Sequence, residues 1–220
     1  MADVAVVTDS TACLPAALID SLDITVVSLY YDLGAGWLRE SEFDGDFGRF
    51  YAELDASNSV ATTSPPTVED FVVVFDRLLQ QHSAVVSVLI SSGMSETCSM
   101  ARQAAARLES EGRGSERVVV IDSAGTIGHL GVQALAAARA AAAGEDLSGV
   151  IAVARRARQE VSQWVLIDTL EYLRRGGRIG GVAAWIGSAL DLKPILRSNR
   201  SSGPSSACGR AGAGSSGWSS

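Results

Sequence analysis

Three cysteines, Cys13, Cys98 and Cys208, are all that the 220 residues contain. They are odd in number, widely spaced and free of any Cys-x-x-Cys arrangement, which argues against a disulfide framework and a zinc site and fits a reducing compartment. Histidine is scarcer still: His82 and His129 are too few and too far apart for a histidine-based metal cluster. Lys and Arg number 18 against 25 acidic residues, for a net charge of −7 and a pI near 4.8. A nucleic-acid module instead concentrates positive charge on one face, so no nucleic-acid partner is expected. No stretch approaches the roughly 20 continuous apolar residues of a membrane span. Met1-Ala2-Asp3 carries no basic region ahead of an apolar one, so no signal peptide is expected either. The resulting expectation is a cytoplasmic globular protein with no metal or organic cofactor and no integral membrane association.

Apolar residues make up 47% of the chain, enough for one good core and a smaller second one. Short β-branched runs alternate with helical spacing. Val4-Ala5-Val6-Val7 reads as a buried strand ending in Thr8-Asp9-Ser10-Thr11. Pro15 starts a short helix, Ile24 to Tyr31 is strand-like, and Gly34-Ala35-Gly36 predicts a hairpin turn. Phe43 to Leu54 is a weakly amphipathic helix. Thr62-Thr63-Ser64-Pro65-Pro66 forces extended backbone, and Thr67 with Asp70 is a cap for the helical face of Phe71, Val74, Phe75, Leu78 and Leu79. Ala84 to Ile90 and Val118 to Ile121 are further buried strands. Leu130 to Ala143 and Leu147 to Arg158 read as helices. Strands alternating with helices through the first 125 residues predict an α/β fold with a mostly parallel sheet.

Three polar turns then fall at the carboxyl edge of the strands, where open α/β sheets bind ligands. The most conspicuous is Ser91-Ser92-Gly93-Met94-Ser95-Glu96-Thr97, with Ser95 as the expected N-cap of the helix that follows. Hydroxyls and backbone N–H groups at such a turn suit an anion. The same stretch stops one residue short of a Gly-x-Ser-x-Gly nucleophile elbow, since Thr97 replaces the last glycine. A serine hydrolase with Ser95 as nucleophile, Asp122 as orienter and His129 as base therefore stands as the alternative function.

After Val165-Leu166-Ile167, Asp168 is the expected cap of a short helix that Arg174-Arg175-Gly176-Gly177-Arg178 breaks. Val182 to Leu190 reads as an apolar helix and Leu192 to Leu196 as the start of an edge strand. From Ser198 onward the chain contains no Val, Ile, Leu, Asp or Glu, so a disordered tail is expected there, with out-of-frame translation as its hypothesised origin.

Val6-Val7-Thr8-Asp9-Ser10-Thr11, Thr63-Ser64-x-Pro66, Ser91-Ser92-Gly93-Met94-Ser95-x-Thr97 and the Leu-Glu-Tyr-Leu-Arg-Arg-Gly-Gly-Arg-Ile-Gly-Gly run within 168–196 together resemble the DegV family. The resemblance implies a DegV-like N-terminal α/β domain over 1–162 with helices on both faces of a parallel sheet. An incomplete second α/β domain over 163–197 and a tail over 198–220 follow. It further implies a carrier, not an enzyme: a long-chain fatty acid sits in an interdomain tunnel, its carboxylate presented to a partner fatty-acid kinase. Head-group ligands carry over to Thr63, Ser64, Ser92 and Ser95, with Asp9, Ser10, Gly93 and Thr97 as secondary candidates. Arg174, Arg175 and Arg178 carry over as kinase-docking residues, their other reading being cationic caps of a helix C-terminus. Glu96 stands where the family usually has glycine and Pro65 where it has glutamine. The family's later His-Thr-Gly-Pro-Gly-type segment, whose histidine reaches the head group, is not found.

Overall fold

The computed structural model describes residues 3–43, 45–56, 61–114, 116–178 and 195–197. Contacts divide the chain into two units, Met1–Val161 and Ser162–Ser220. The first unit begins with β1 (Val4–Asp9), α1 (Ala16–Ser21), β2 (Ile24–Val27), β3 (Tyr30–Asp32), β4 (Leu38–Arg39), α2 (Phe47–Ala56) and β5 (Thr62–Ser64). It continues with α3 (Val68–Leu79), β6 (Ala84–Leu89), α4 (Thr97–Ser110), β7 (Val118–Asp122), α5 (Ile127–Ala142) and α6 (Leu147–Glu160).

β1, β2, β6 and β7 form a parallel four-stranded sheet in the order β2-β1-β6-β7. Both faces are covered, which is why β1 and β6 are apolar without alternation. Val4, Val6, Val86 and Val88 pack with Leu130 and Ala137 of α5 and Val150 and Ala154 of α6. On the other face, Ala5, Val7, Val85 and Leu89 meet Phe71 and Phe75 of α3 and Cys98, Ala101 and Leu108 of α4. Small residues let α5 lie close. A Cβ on Gly131 would stand 3.0 Å from the Leu14 side chain and 3.1 Å from the Ala12 carbonyl oxygen.

α3 is closed at both ends. Thr67 and Asp70 form the expected capping box, the Thr67 hydroxyl accepting from Asp70 N at 3.1 Å while the Asp70 carboxylate accepts from Thr67 N at 2.8 Å. Just beyond its other end, the Arg117 guanidinium donates to the Leu79, His82 and Ser83 carbonyls.

Several boundaries differ from expectation, each for a local reason. The strand expected over Ile24 to Tyr31 is two strands in two sheets. Between them the Ser10 hydroxyl takes the Leu29 N–H at 2.9 Å and the Ser28 hydroxyl takes the Ser41 N–H at 3.0 Å. β3 then joins an antiparallel sheet in the order β4-β3-β5, which includes the expected hairpin. α2 starts at Phe47, later than Phe43, because the Asp46 carboxylate accepts from Arg49 N at 2.9 Å and so caps it there. The cap position of α4 is Glu96 instead of Ser95.

The second unit pairs β8 (Trp164–Leu166) antiparallel with β9 (Ile195–Arg197), and α7 (Glu171–Arg175) lies between them in sequence. Asp168 does not cap α7: Leu170 holds the cap position and the Thr169 hydroxyl accepts from Glu171 N at 3.2 Å. Gly177, at φ 72°, ends the helix in a Schellman turn, with Arg178 N donating to Leu173 O and Gly177 N to Arg174 O. The helix expected over 182–190, the beginning of the strand at 192–194 and the tail over 198–220 lie outside the described residues. Among the described residues, no helix is long and apolar enough to cross a membrane, and no group of three or more His, Cys, Asp and Glu could hold a metal ion.

Candidate functional site

From β1 the chain steps to one side for β2 and to the other for β6 and β7, so the sheet order reverses between β1 and β6. The crevice outside the carboxyl ends of those two strands is the topological switch point of an open α/β sheet. Asp9 ends one of them, and the Ser91–Thr97 turn follows the other.

Asp9 is fully buried and ties the two strands together. One carboxylate oxygen accepts from Ile90 N at 2.7 Å, and the other accepts from the Thr11 N–H at 3.0 Å and its hydroxyl at 2.5 Å. Burial pushes its pKa up, against the opposing pull of those hydrogen bonds. Ser10 is also committed, donating to Glu40 at 2.5 Å and accepting from Leu29 N. From the far side Asp122, at the end of β7, accepts from the Ser92 hydroxyl at 2.5 Å, from Ser92 N at 3.3 Å and from Ala124 N at 2.8 Å. The turn after β6 is thus held by a carboxylate from each neighbouring strand. Its Gly93 N–H goes to the Ser91 hydroxyl and its Ser91 N–H to the Gly125 carbonyl.

Hydrogen counting separates the candidate hydroxyls. Ser92 has one hydroxyl hydrogen, and Asp122 takes it. Thr97 is fully buried, and its hydroxyl meets that of Ser95 at 2.8 Å. Either hydroxyl can be the donor of that contact; when Thr97 donates, Ser95 Oγ accepts its hydrogen together with the Thr97 N–H, and the Ser95 hydrogen is left for a ligand. Ser95 is half-buried.

Thr63 and Ser64 lie on β5, in the antiparallel sheet, and no hydrogen bond among the described residues joins them to the Ser91–Thr97 turn. Opposite residues of an antiparallel pair share a face. Thr63 stands opposite Tyr31, which stands opposite Leu38, whereas Ser64 stands opposite Tyr30, which pairs with Arg39. The Tyr31 ring packs edge-on against Phe50 of α2, and the Arg39 guanidinium lies over the Tyr30 ring. The Thr63 hydroxyl has no hydrogen-bond partner among the described residues and is exposed, while Ser64 donates weakly to Pro65 O at 3.3 Å. On the Tyr30 side, Asp70 gathers the Tyr30 phenol, the Arg39 guanidinium and Thr67. A groove of about 460 Å³ bounded by Val26, Arg39, Asp70 and Val73 contains none of the head-group candidates.

The geometry does not assemble a Ser95–His129–Asp122 triad. His129 is buried, with Nδ1 3.1 Å from Gln133 Nε2, and burial lowers its pKa. Asp122 is engaged with Ser92 and Ala124, and Ser95 with Thr97. Cys98 is buried beneath the turn, donates to Ile90 O at 3.3 Å, and has its thiol pushed up to about 12 by desolvation. Glu96 is exposed at the start of α4, where a negative charge is stabilising. In the second unit Arg174, Arg175 and Arg178 are all exposed, Arg175 pairs with Glu171, and Arg178 donates to Gly176 O at 2.6 Å. The role of Asp122 as a clamp on Ser92 had no signal in the sequence, because the two are 30 positions apart.

Residues 3–210 match the family described as "Uncharacterised protein, DegV family", a match that runs past Leu196, where the motif resemblance stops. Protein DegV of Bacillus subtilis is 33% identical over 198 residues, covering 88% of this chain and 67% of that protein. Among solved structures, a DegV family protein from Thermus thermophilus, described for its fatty acid binding, matches with a TM-score of 0.80 and 33% identity over 90% of this chain and 68% of its own. The structure of DegV from Bacillus subtilis, described as a fatty acid binding protein, matches with a TM-score of 0.79 and 31% identity over 90% of this chain and 69% of its own. The chain therefore spans about two thirds of the length of these relatives.

Proposed function

This chain belongs to the DegV family, and from that premise we propose that it binds a long-chain fatty acid as a carrier. Thr63 and Ser95 are the principal donors to the carboxylate, with residues 1–162 as the head-group domain. The observation that carries this reading is an exposed Thr63 hydroxyl without a hydrogen-bond partner among the described residues and a Ser95 hydroxyl that is free to donate when Thr97 donates to it, the latter at the switch point of the sheet. A carboxylate only accepts hydrogen bonds, so it needs donors whose hydrogens are not already given away, and bonds to it are charge-assisted. The fatty-acid-binding descriptions of the two structures above support the choice of ligand.

The acyl chain enters an apolar tunnel completed by a second domain that begins within 163–197. Any phosphorylation belongs to a partner kinase, and the exposed Arg174, Arg175 and Arg178 are its docking residues. Mass spectrometry of lipid extracted from the purified protein tests the carrier: a long-chain fatty acid is expected. Protein that is empty and also fails to take up added palmitate sinks the reading. No hydrolysis of a chromogenic ester is expected, and hydrolysis abolished by Ser95→Ala would reinstate the hydrolase.

A further inference from the structure

We propose that Ser92 and Asp122 form a positioning pair, which does not donate to the head group but fixes the turn that presents Ser95. The inference rests on the fatty-acid reading of the site. Asp122 Oδ2 takes the Ser92 hydroxyl hydrogen at 2.5 Å, and Oδ1 takes the Ser92 N–H at 3.3 Å and the Ala124 N–H at 2.8 Å. Ser92 is held at both its hydrogen-bond donors, so neither remains for an anionic ligand. A fatty-acid carboxylate placed on Ser92 Oγ would meet lone pairs with the Asp122 carboxylate immediately behind them.

The pair has a mechanical consequence. Asp122 grips the turn from β7, while Asp9 grips Ile90, just ahead of the turn, from β1. Between these anchors the Ser91 carbonyl accepts from Met94 N at 2.9 Å and Ser95 N at 3.1 Å, which carries the constraint on to Ser95 itself. Releasing Ser92 frees the turn at its exposed end and lets Ser95 drift from the geometry a carboxylate needs. Short hydrogen bonds to a carboxylate lose strength steeply with distance and angle.

The two roles open to Ser92 predict different outcomes when residue 122 is changed. An asparagine at 122 keeps an acceptor for the N–H groups, but its amide nitrogen faces Ser92 Oγ as a donor, which returns the hydroxyl hydrogen to Ser92. If Ser92 were itself the head-group donor, Asp122→Asn would tighten palmitate binding. As a positioning pair, Asp122→Ala and Ser92→Ala each weaken palmitate by about tenfold and the double variant is no weaker than either single one, whereas Asp122→Asn, which still holds the turn, stays within about twofold of wild type. Hexadecanol, which lacks the carboxylate, changes by less than about twofold in every variant, whereas a loosened fold would weaken both ligands alike. Ser92→Thr, which keeps hydroxyl and N–H, restores palmitate binding. Tighter palmitate binding in Asp122→Asn, additive losses in the double variant, or parallel losses of acid and alcohol would each overturn the pair. If Asp122→Asn does not fold, Asp122→Ala, which also frees the Ser92 hydrogen, decides by sign: weaker palmitate binding supports the pair and tighter binding overturns it. Wild-type protein that binds neither ligand overturns the fatty-acid reading itself, an outcome distinct from wild-type binding with unchanged alanine variants, which overturns only the pair.

Discussion

Thr63 and Ser64 are adjacent in the chain but occupy opposite faces of the antiparallel sheet, Thr63 alongside Tyr31 and Ser64 alongside Tyr30. Two hydroxyls one residue apart on a strand cannot converge on one carboxylate. Thr63→Val, which keeps the shape and removes the donor, is expected to weaken palmitate binding by about tenfold, the worth of one charge-assisted hydrogen bond. Ser64→Ala stays within about twofold of wild type. Titration with a fluorescent fatty acid distinguishes them, and equal losses would refute the assignment to faces.

Asp70 gives a pH-dependent term to stability. Burial pushes its carboxyl up, but bonds from Arg39, the Thr67 hydroxyl and N–H, and Tyr30 outweigh burial and hold it below its ordinary value. A depressed carboxyl contributes stability above its unfolded pKa and loses it as pH falls through the folded one. Asp70→Asn is expected to cost about 2 kcal/mol near neutrality, with the difference from wild type shrinking in acid. Urea melts from neutral to acid pH read this directly, and a pH-independent difference would contradict it.

Asp9 behaves with the opposite sign. Its raised pKa, caused first by desolvation, means that the folded state holds the proton more tightly than the unfolded state. Its contribution is therefore greatest at low pH and is lost as pH rises through the folded value. Asp9→Asn removes this term and sets an amide donor against one of the donors that Asp9 now accepts. The stability gap to wild type should widen as pH is lowered from neutrality. Hydrogen exchange at Ile90 N should quicken by about tenfold or more, reflecting roughly 1.4 kcal/mol of lost protection. Unchanged exchange at Ile90 would show that Asp9 does not anchor the turn.

Gly125 is the least replaceable glycine near the site. A Cβ there would fall 2.2 Å from His129 Nδ1 and 2.9 Å from His129 Cβ, so the ring and the start of α5 would have to move. Its carbonyl also accepts from Ser91 N at 2.9 Å and from the Ser123 hydroxyl at 3.0 Å. Gly125→Ala is expected to cost about 2–3 kcal/mol by overpacking and to weaken fatty-acid binding with it. Gly144→Ala is the control: unlike Gly125 it takes the left-handed backbone, at φ 86°, but it has open space around its Cβ, so it costs about 1 kcal/mol and leaves binding unchanged.

Most of the architecture was legible because its signals are local. A run such as Val4-Ala5-Val6-Val7 can only be buried on both faces, which demands a covered parallel sheet, and Thr67 with Asp70 carries its own capping geometry. Boundaries failed where a distant hydroxyl intervened. Ser10 ended β2 from 19 positions away, and nothing within Ile24 to Tyr31 could have announced it.

The Ser91–Thr97 turn was equally visible as a cluster of hydroxyls at a strand end, and it carries one of the motifs that resemble the family. Motif spacing says which residues meet at a sheet edge but not which hydrogens are already spent. That depends on what each hydroxyl touches across the fold: Ser92 donates to Asp122, Ser10 to Glu40, and Thr97 and Ser95 share one contact. The residue types and their order along the chain determined the fold class and the candidate set. Only the tertiary structure, by bringing carboxylates from distant parts of the chain against these segments, showed which hydroxyls are committed to them, Ser10 to Glu40 and Ser92 to Asp122.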